Sequence, residues 1–322
     1  MLKPTIVTLL LISCAAFVQA QDTSAVYTKE LTFITENDNY NFSKQDRYYS
    51  NGIFLRYQWL GKQAASSKLA SKLHRIEAGH MIFNPHLNRR SLEQVLDQQD
   101  RPYAAWLYAS YGQTNVLNNE RVLQFDGAVG ILGPAAKGEE VQTNYHKLIG
   151  LYKLYGWENQ LLNEVGVNAS LRYYHPLIAA TKNVSLHATG KATAGNTFTN
   201  ASAGLLLKLG KLEAEQYSAY WTGRLGQNKQ QQRHQTEFIF FLEPTLMAQA
   251  YNATVQGGMF RKEKGNYTSE LNPFIYLIKS GIILSNRQTS FSAYYHIKQR
   301  EAKTMIDPFE VYGAFAFSIR FR

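Results

Sequence analysis

The sequence predicts an all-β fold: a transmembrane antiparallel β-barrel of about twelve strands, with a short helix in one long loop. Three observations carry this prediction. Short segments in which apolar or aromatic residues alternate with polar ones recur along the whole chain, the two-residue period of a strand whose faces meet different solvents. The chain holds 21 Tyr and 17 Phe, yet its mean hydropathy is only −0.32, too polar for a bundle of membrane helices. Beyond the amino-terminal region, no stretch reaches the roughly 18 consecutive apolar residues that a spanning helix requires. Lipid-facing aromatics alternating with a polar lumen reconcile the three.

Residues 1–20 read as a secretory signal peptide: Lys3 gives a positive start, Ile6 to Val18 is mostly apolar, and Val18-Gln19-Ala20 is a small-residue cleavage site. Leu11-Ile12-Ser13-Cys14 is a weaker match to a lipoprotein processing site, because the apolar run continues after Cys14. Cleavage after Ala20 leaves residues 21–322 as one barrel domain without cysteine, since Cys14 is the only one, so burial and hydrogen bonding must hold it together without disulfides. No domain linker or internal repeat is visible. The formal net charge of +10 drops by one with Lys3. A basic surface attracts nucleic acid or anionic membrane. Behind a signal peptide, phosphorylated lipid is the better partner, and no nucleic-acid partner is expected.

Taken in order, the strand candidates are Glu30 to Thr35, Ile53 to Trp59, His80 to Phe83, Tyr103 to Gln113, Arg121 to Gly130 and Asn163 to Tyr173. Val184 to Ala194, Thr197 to Lys208, Glu237 to Ala250, Leu271 to Ile283, Ser290 to Lys298 and Val311 to Phe321 follow. The even count suits a single-chain bacterial barrel, and an aromatic near the carboxyl terminus is usual in such proteins. Gly226 to Thr236, rich in Gln, reads as a mobile hydrophilic loop.

Two connections are unusual. The first, Glu36 to Gly52, is denser in polar side chains than a plain hairpin needs: Asn37, Asp38, Asp46, Ser50 and Asn51 supply carboxylate, amide and hydroxyl oxygens, the ligands of a hard cation such as calcium. It lacks the EF-hand spacing, and the same residue types also serve an ordinary exposed loop. The second, Leu132 to Leu162, is broken from its strand by Gly133-Pro134 and predicts a short helix over Glu139 to Leu151, with Val141, Tyr145, Leu148 and Tyr152 at helical spacing. His146 lies on that helix. Neither HExxH nor GxSxG occurs, so zinc and a serine nucleophile elbow are disfavoured, and His-activated water is the better chemistry.

Four blocks, read together, resemble the outer-membrane lipid A 3′-O-deacylase family (LpxR-like): Glu36-Asn37-Asp38 with Asp46 to Gly52; Asp100-Arg101-Pro102-Tyr103-Ala104-Ala105-Trp106; Gly133-Pro134 through Glu140-Val141-Gln142, His146 and Gly156 to Glu164; and the tail from Tyr312-Gly313. The resemblance implies a twelve-stranded outer-membrane barrel whose site lies between the barrel wall and a loop helix. It implies a calcium-dependent ester hydrolysis releasing the 3′-linked acyloxyacyl chain of lipid A. His146 matches the catalytic histidine, Asn37 and Asp38 the active-site pair, and Ser50 a hydroxyl position usually held by Thr. On this reading Asp38, Asn37 and Ser50 hold Ca2+, and Arg89 or Arg90 contacts a lipid A phosphate. The family's Glu six residues after the histidine is replaced here by Tyr152, which puts details of metal binding and substrate preference in question; Glu140 or Glu164 are candidates for its role. A monomer is expected. The alternatives are a catalytically silent barrel, either a channel or a lipopolysaccharide-binding protein, and an outer-membrane phospholipase.

Overall fold

The structure, a computed structural model, describes residues 26–41, 47–62, 68–86, 99–150, 154–221 and 224–322. The expected signal peptide lies outside them. Twelve strands close into an antiparallel barrel: β1 (Lys29–Asn37), β2 (Tyr48–Leu60), β3 (Leu69–Asn84), β4 (Ala104–Leu117), β5 (Val122–Leu132), β6 (Glu164–Ile178), β7 (Val184–Gly195), β8 (Phe198–Lys211), β9 (Glu237–Asn252), β10 (Phe274–Ser285), β11 (Thr289–Gln299) and β12 (Phe309–Phe321). Each strand pairs with its sequence neighbours, and β1 pairs with β12 to close the cylinder and leave no edge. That seam is fastened inside the wall by Glu30 to Arg320 Nε at 2.7 Å and Thr32 to Ser318 at 2.9 Å. Two helices sit in the loops, α1 (Gly138–Ile149) and α2 (Ala253–Gln256). Among the described residues no helix is long and apolar enough to cross a membrane.

Alternation along each strand separates the two faces. On β1, Glu30, Thr32 and Ile34 are buried in the lumen while Leu31 and Phe33 are exposed. Ile53, Leu55, Leu107, Val129, Val165 and Val167 continue that exposed apolar band around the cylinder. Such a band would be an aggregation hazard in water and is the lipid face of a membrane barrel. Inside, Arg56 pairs with Glu77 at 2.6 Å, Arg75 with Asp126, and Tyr108 donates to Glu77 at 2.8 Å, surrounding a cavity of about 450 Å³.

Each of the twelve strand segments read from the sequence falls on a strand, and the loop helix is as expected. Two readings change. β3 runs from Leu69 rather than His80, because Arg75 and Glu77, which look like loop residues in sequence, point inward to ionic partners. Gly226 to Thr236 is largely exposed but tethered, its Arg233 and His234 N–H groups donating to Glu213, while the preceding 212–221 segment plugs one end of the barrel. There Trp221 packs on Tyr174 and Phe241's cluster. Arg224, fully buried, donates to Glu213 Oε1 at 2.7 Å, Gln227 at 2.9 Å and the carbonyls of Ser285 and His234 at 3.0 and 2.6 Å. Its polarity is spent on internal partners rather than on water.

The opposite end carries connections 38–47, 85–103, 133–163, 196–197, 253–273 and 300–308, against 61–68, 118–121, 179–183 and 286–288 at the plugged end beside the termini. Long loops mark the extracellular side of such barrels and short turns the periplasmic side. The plug is then periplasmic, and α1 extracellular.

Candidate active site

Residues directly opposite in an antiparallel ladder share a face. Asn37, two steps from Thr35 and four from the exposed Phe33, belongs to the outer face of β1. It stands opposite Gly313 of β12 and Asn51 of β2. Asn51 stands opposite Ile82, and Ile82 opposite Ala105, in turn two steps from the exposed Leu107. A row Gly313–Asn37–Asn51–Ile82–Ala105 thus crosses the outer wall at its extracellular rim. Asn37, Ile82 and Ala105 are nevertheless buried. Two loops cover them.

The 3-10 turn Asp38–Asn41 folds over the β12 side. Tyr40 lies on Gly313, where an added Cβ would come within 2.7 Å of the Tyr40 Cβ, and its ring meets Phe315 at 5.1 Å. This fold-back buries Asp38, whose Oδ2 accepts the Arg47 N–H at 2.8 Å. Asn37 is oriented at both ends of its amide, Nδ2 donating to Asn51 at 2.6 Å and Oδ1 accepting from Asn39 N–H at 2.7 Å.

On the β3–β4 side the cover is α1. Gly138 starts it flat on the wall, since a Cβ there would meet Ala105 Cβ at 2.5 Å and the Trp157 ring at 2.7 Å. Gly150, left-handed at φ 73°, ends it with its N–H on the His146 carbonyl. Val141, Tyr145 and Leu148, the residues at helical spacing, do not form the docked face. They are exposed, and Gln142 and His146, one turn apart, are buried. Gln142 accepts from Trp157 Nε1 at 3.1 Å and donates to Ser50 Oγ at 3.4 Å, and Ser50 in turn reaches the Ile82 carbonyl at 3.5 Å. Ser50 sits at a bulge between Tyr49 and Asn51, which turns it onto this face. The helix therefore presents an amide and an imidazole to a wall carrying hydroxyl, amide and carboxylate.

The Asp-Arg-Pro-Tyr block positions these loops. Asp100 accepts from Tyr48 OH at 2.8 Å, His86 N–H at 2.8 Å and Ile306 N–H at 3.0 Å. Arg101, fully buried, donates to Thr254 at 2.9 Å, pairs with Glu301 and lies 4.4 Å from the Phe83 ring. Tyr103 donates to the Tyr155 carbonyl at 2.6 Å and stacks against Trp157 at 4.9 Å. Three residues of one short block fasten four extracellular connections and the start of β2. Burial pushes the Glu301 carboxyl up, but Lys298 and Arg101 outweigh it and hold it at about 2.

The structure brings Asn37, Asp38, Ser50 and His146 to one patch of outer wall. Arg89, Arg90, Tyr152 and Asp46 lie outside the described residues. Neither candidate substitute for the missing glutamate joins the patch: Glu140 is exposed and paired with Lys137 at 2.7 Å, and Glu164 accepts the N–H groups of Met259 and Phe260 at 2.7 and 3.1 Å. Gln142, Trp157 and Tyr40 were not singled out from sequence. Only Gln142 had a signal, its position one turn before His146. Among the described residues no group of three His, Cys, Asp or Glu could hold a metal. The oxygen set of Asp38, Asn37 and Ser50 nonetheless suits a hard cation that completes its shell with water or substrate oxygens.

A family model described as Outer membrane protein LpxR matches residues 6–321. Among solved structures, LpxR from Salmonella typhimurium aligns with a TM-score of 0.72 at 21% identity, covering 91% of this chain and 100% of that one. The β-domain of the Bordetella autotransporter BrkA (TM-score 0.49, 8% identity, 92% and 100% covered) and the translocator domain of NalP from Neisseria meningitidis (0.41, 8%, 99% and 96%) are more distant barrels. No curated protein sequence matches the chain. With the family model spanning nearly the whole sequence, a closed twelve-stranded barrel and the motif residues gathered on its outer wall, the chain belongs to the LpxR family of integral outer-membrane proteins, the lipid A deacylases whose motifs it carries.

Proposed function

We propose that this protein is a calcium-dependent esterase that removes the 3′-O-linked acyloxyacyl chain of lipid A, with His146 activating the attacking water. The observation that carries this reading is the burial of His146 and Gln142 against the outer rim of the wall, beside Ser50 and the Asn37-Asp38 turn. A lipid in the outer leaflet reaches that position by lateral diffusion, with its esters near the rim and its acyl chains along the exposed apolar band.

His146 takes a proton from water as the oxygen attacks the ester carbonyl. It returns that proton to the sugar 3′-oxygen as the acyl C–O bond breaks, leaving a free acyloxyacyl acid and a 3′-hydroxyl. Gln142, held by Trp157, keeps Ser50 and its own amide donor at fixed positions where negative charge builds on the carbonyl oxygen. Asp38, Asn37 and Ser50 would hold the calcium ion, which when bound supplies Lewis-acid stabilisation of that charge. Arg89 or Arg90 is proposed to meet a phosphate of the substrate. The periplasmic plug and the ion pairs spanning the lumen weigh against a channel.

Mass spectrometry of lipid A from cells expressing the protein tests this. Loss of one acyloxyacyl unit with wild type, abolished by calcium chelation and by His146→Ala, is the expected result. Unchanged lipid A with correctly inserted wild type would leave the silent barrel as the better reading, and release of acyl chains from phospholipid alone would favour a phospholipase.

A further inference from the structure

The helix that carries His146 has three distinct faces. At 3.6 residues per turn, Gln142 and His146 define the one against the wall. Glu140, Asn144 and Lys147, all exposed, define a polar flank, and Val141, Tyr145 and Leu148 an apolar one; Leu148 is 80% exposed. Val141 and Tyr145 are partly exposed, and Leu148 stands almost free of the described chain. The helix lies on the lipid-side face of the wall, its start seated on Ala105 just above the exposed Leu107. A second exposed apolar tip accompanies it. Met259 and Phe260, the latter 80% exposed, are held by their backbone N–H groups to Glu164, which alternates with the exposed Val165 and so belongs to the lumen face of β6. The two loops are joined, Leu162 N–H donating to the Lys264 carbonyl at 3.1 Å and Asn266 to Asn159 at 2.5 Å.

We infer that Leu148, with Tyr145 and Val141, is seated in the acyl-chain region of the outer leaflet, so that α1 is an interfacial helix docked simultaneously on the barrel and on the membrane. The occupant is lipid because the Leu148 flank continues the barrel's own lipid face, and because an apolar flank beside a polar flank on a wall-bound helix is the arrangement of a helix lying at a bilayer surface. The position of His146 over the wall then depends on the bilayer as well as on the protein.

With no cysteine in residues 21–322, single Cys substitutions report depth directly. Leu148→Cys, Phe260→Cys and Glu140→Cys would each carry a bimane label on the full barrel in phosphatidylethanolamine–phosphatidylglycerol vesicles containing lipopolysaccharide. The label at 148 is expected to be quenched several-fold more than those at 140 and 260 by nitroxide-bearing lipid, and to be protected from aqueous iodide. Equal iodide access at all three positions overturns the inference. A second measurement rests on the esterase reading: Leu148→Asn should lower lipid A hydrolysis roughly tenfold in vesicles, as expected for one lost apolar anchor, and leave it nearly unchanged in detergent micelles. Equal loss in both settings counts against the anchor. Absence of hydrolysis by wild type in both would overturn the esterase while the quenching data still decide the depth.

Discussion

The periplasmic plug and the outer-wall site of this barrel bury polar groups in opposite ways. At the periplasmic end ions meet ions: Arg224 meets Glu213 at 2.7 Å, and Lys208 meets Glu215 at 2.6 Å with Ser185 adding a hydroxyl at 2.9 Å. At the outer-wall site one carboxylate, Asp38, sits among amides, a hydroxyl and an imidazole, oriented largely by backbone N–H groups and by Trp157. Charge closed on itself fixes a shape and leaves little to offer a ligand. Polar groups fixed by neutral contacts keep their chemistry directed outward, as a preorganised site requires.

The sharpest way to break this contrast is His146→Ala. We expect hydrolysis of lipid A to fall by about 10²–10⁴-fold, with heat-modifiable migration of the folded barrel on gels unchanged. Arg224→Ala should do the reverse. Removing one member of a buried ion pair typically costs about 3–5 kcal/mol, so chemical unfolding in detergent should shift strongly while the folded fraction keeps its activity. Gln142→Leu should lower turnover by about 10²-fold with little change in stability; an effect on KM alone would argue that this amide only binds.

A pH experiment separates the loop staple from the site. Glu301 is held at about 2, below the ordinary carboxylate range of its unfolded form, so its stabilising contribution is full above the unfolded pKa and is lost as pH falls toward 2. Unfolding measured from pH 6 down should show the extracellular end loosening over that acidic window, and Glu301→Gln should remove this part of the dependence. The smallest effect expected is that of Ser50→Thr, which restores the more usual hydroxyl residue and should leave turnover within about threefold, as a single added methyl does when the site can accommodate it.

Much of this was readable in the sequence because alternation is a local property. β12 shows it plainly: Val311, Phe315, Phe317 and Phe321 point one way, Tyr312, Ser318 and Arg320 the other. Where the readings missed, a long-range partner had changed the meaning of a residue. Arg75 and Glu77 disguised β3 until Asp126 and Arg56 were seen beside them. The Gln-rich connection is solvated as its composition suggests, but nothing in that composition reveals its tether, the Glu213 that accepts from Arg224, Gln227, Arg233 and His234. On α1 the apolar stripe does not mark the docked face, and only the wall beneath shows that the face of Gln142 and His146 is the docked one. The family resemblance located His146, Asn37, Asp38 and Ser50, but the tethers that aim them were not legible: Trp157 lies far along the chain from Ser50, and Tyr40 and Gly313 belong to opposite ends of it.

That last pair has a consequence for the life of the protein before it reaches its membrane. The turn bearing Asp38 is moulded against β12, and Asn37 stands opposite Gly313 across the seam where the first and last strands join. Contacts so distant in sequence form only when the whole cylinder has closed, since they carry the largest chain-entropy cost. A half-assembled sheet therefore has a histidine but no finished cleft. If the esterase proposal holds, hydrolytic competence arrives only with the closed barrel, among the lipids that surround it.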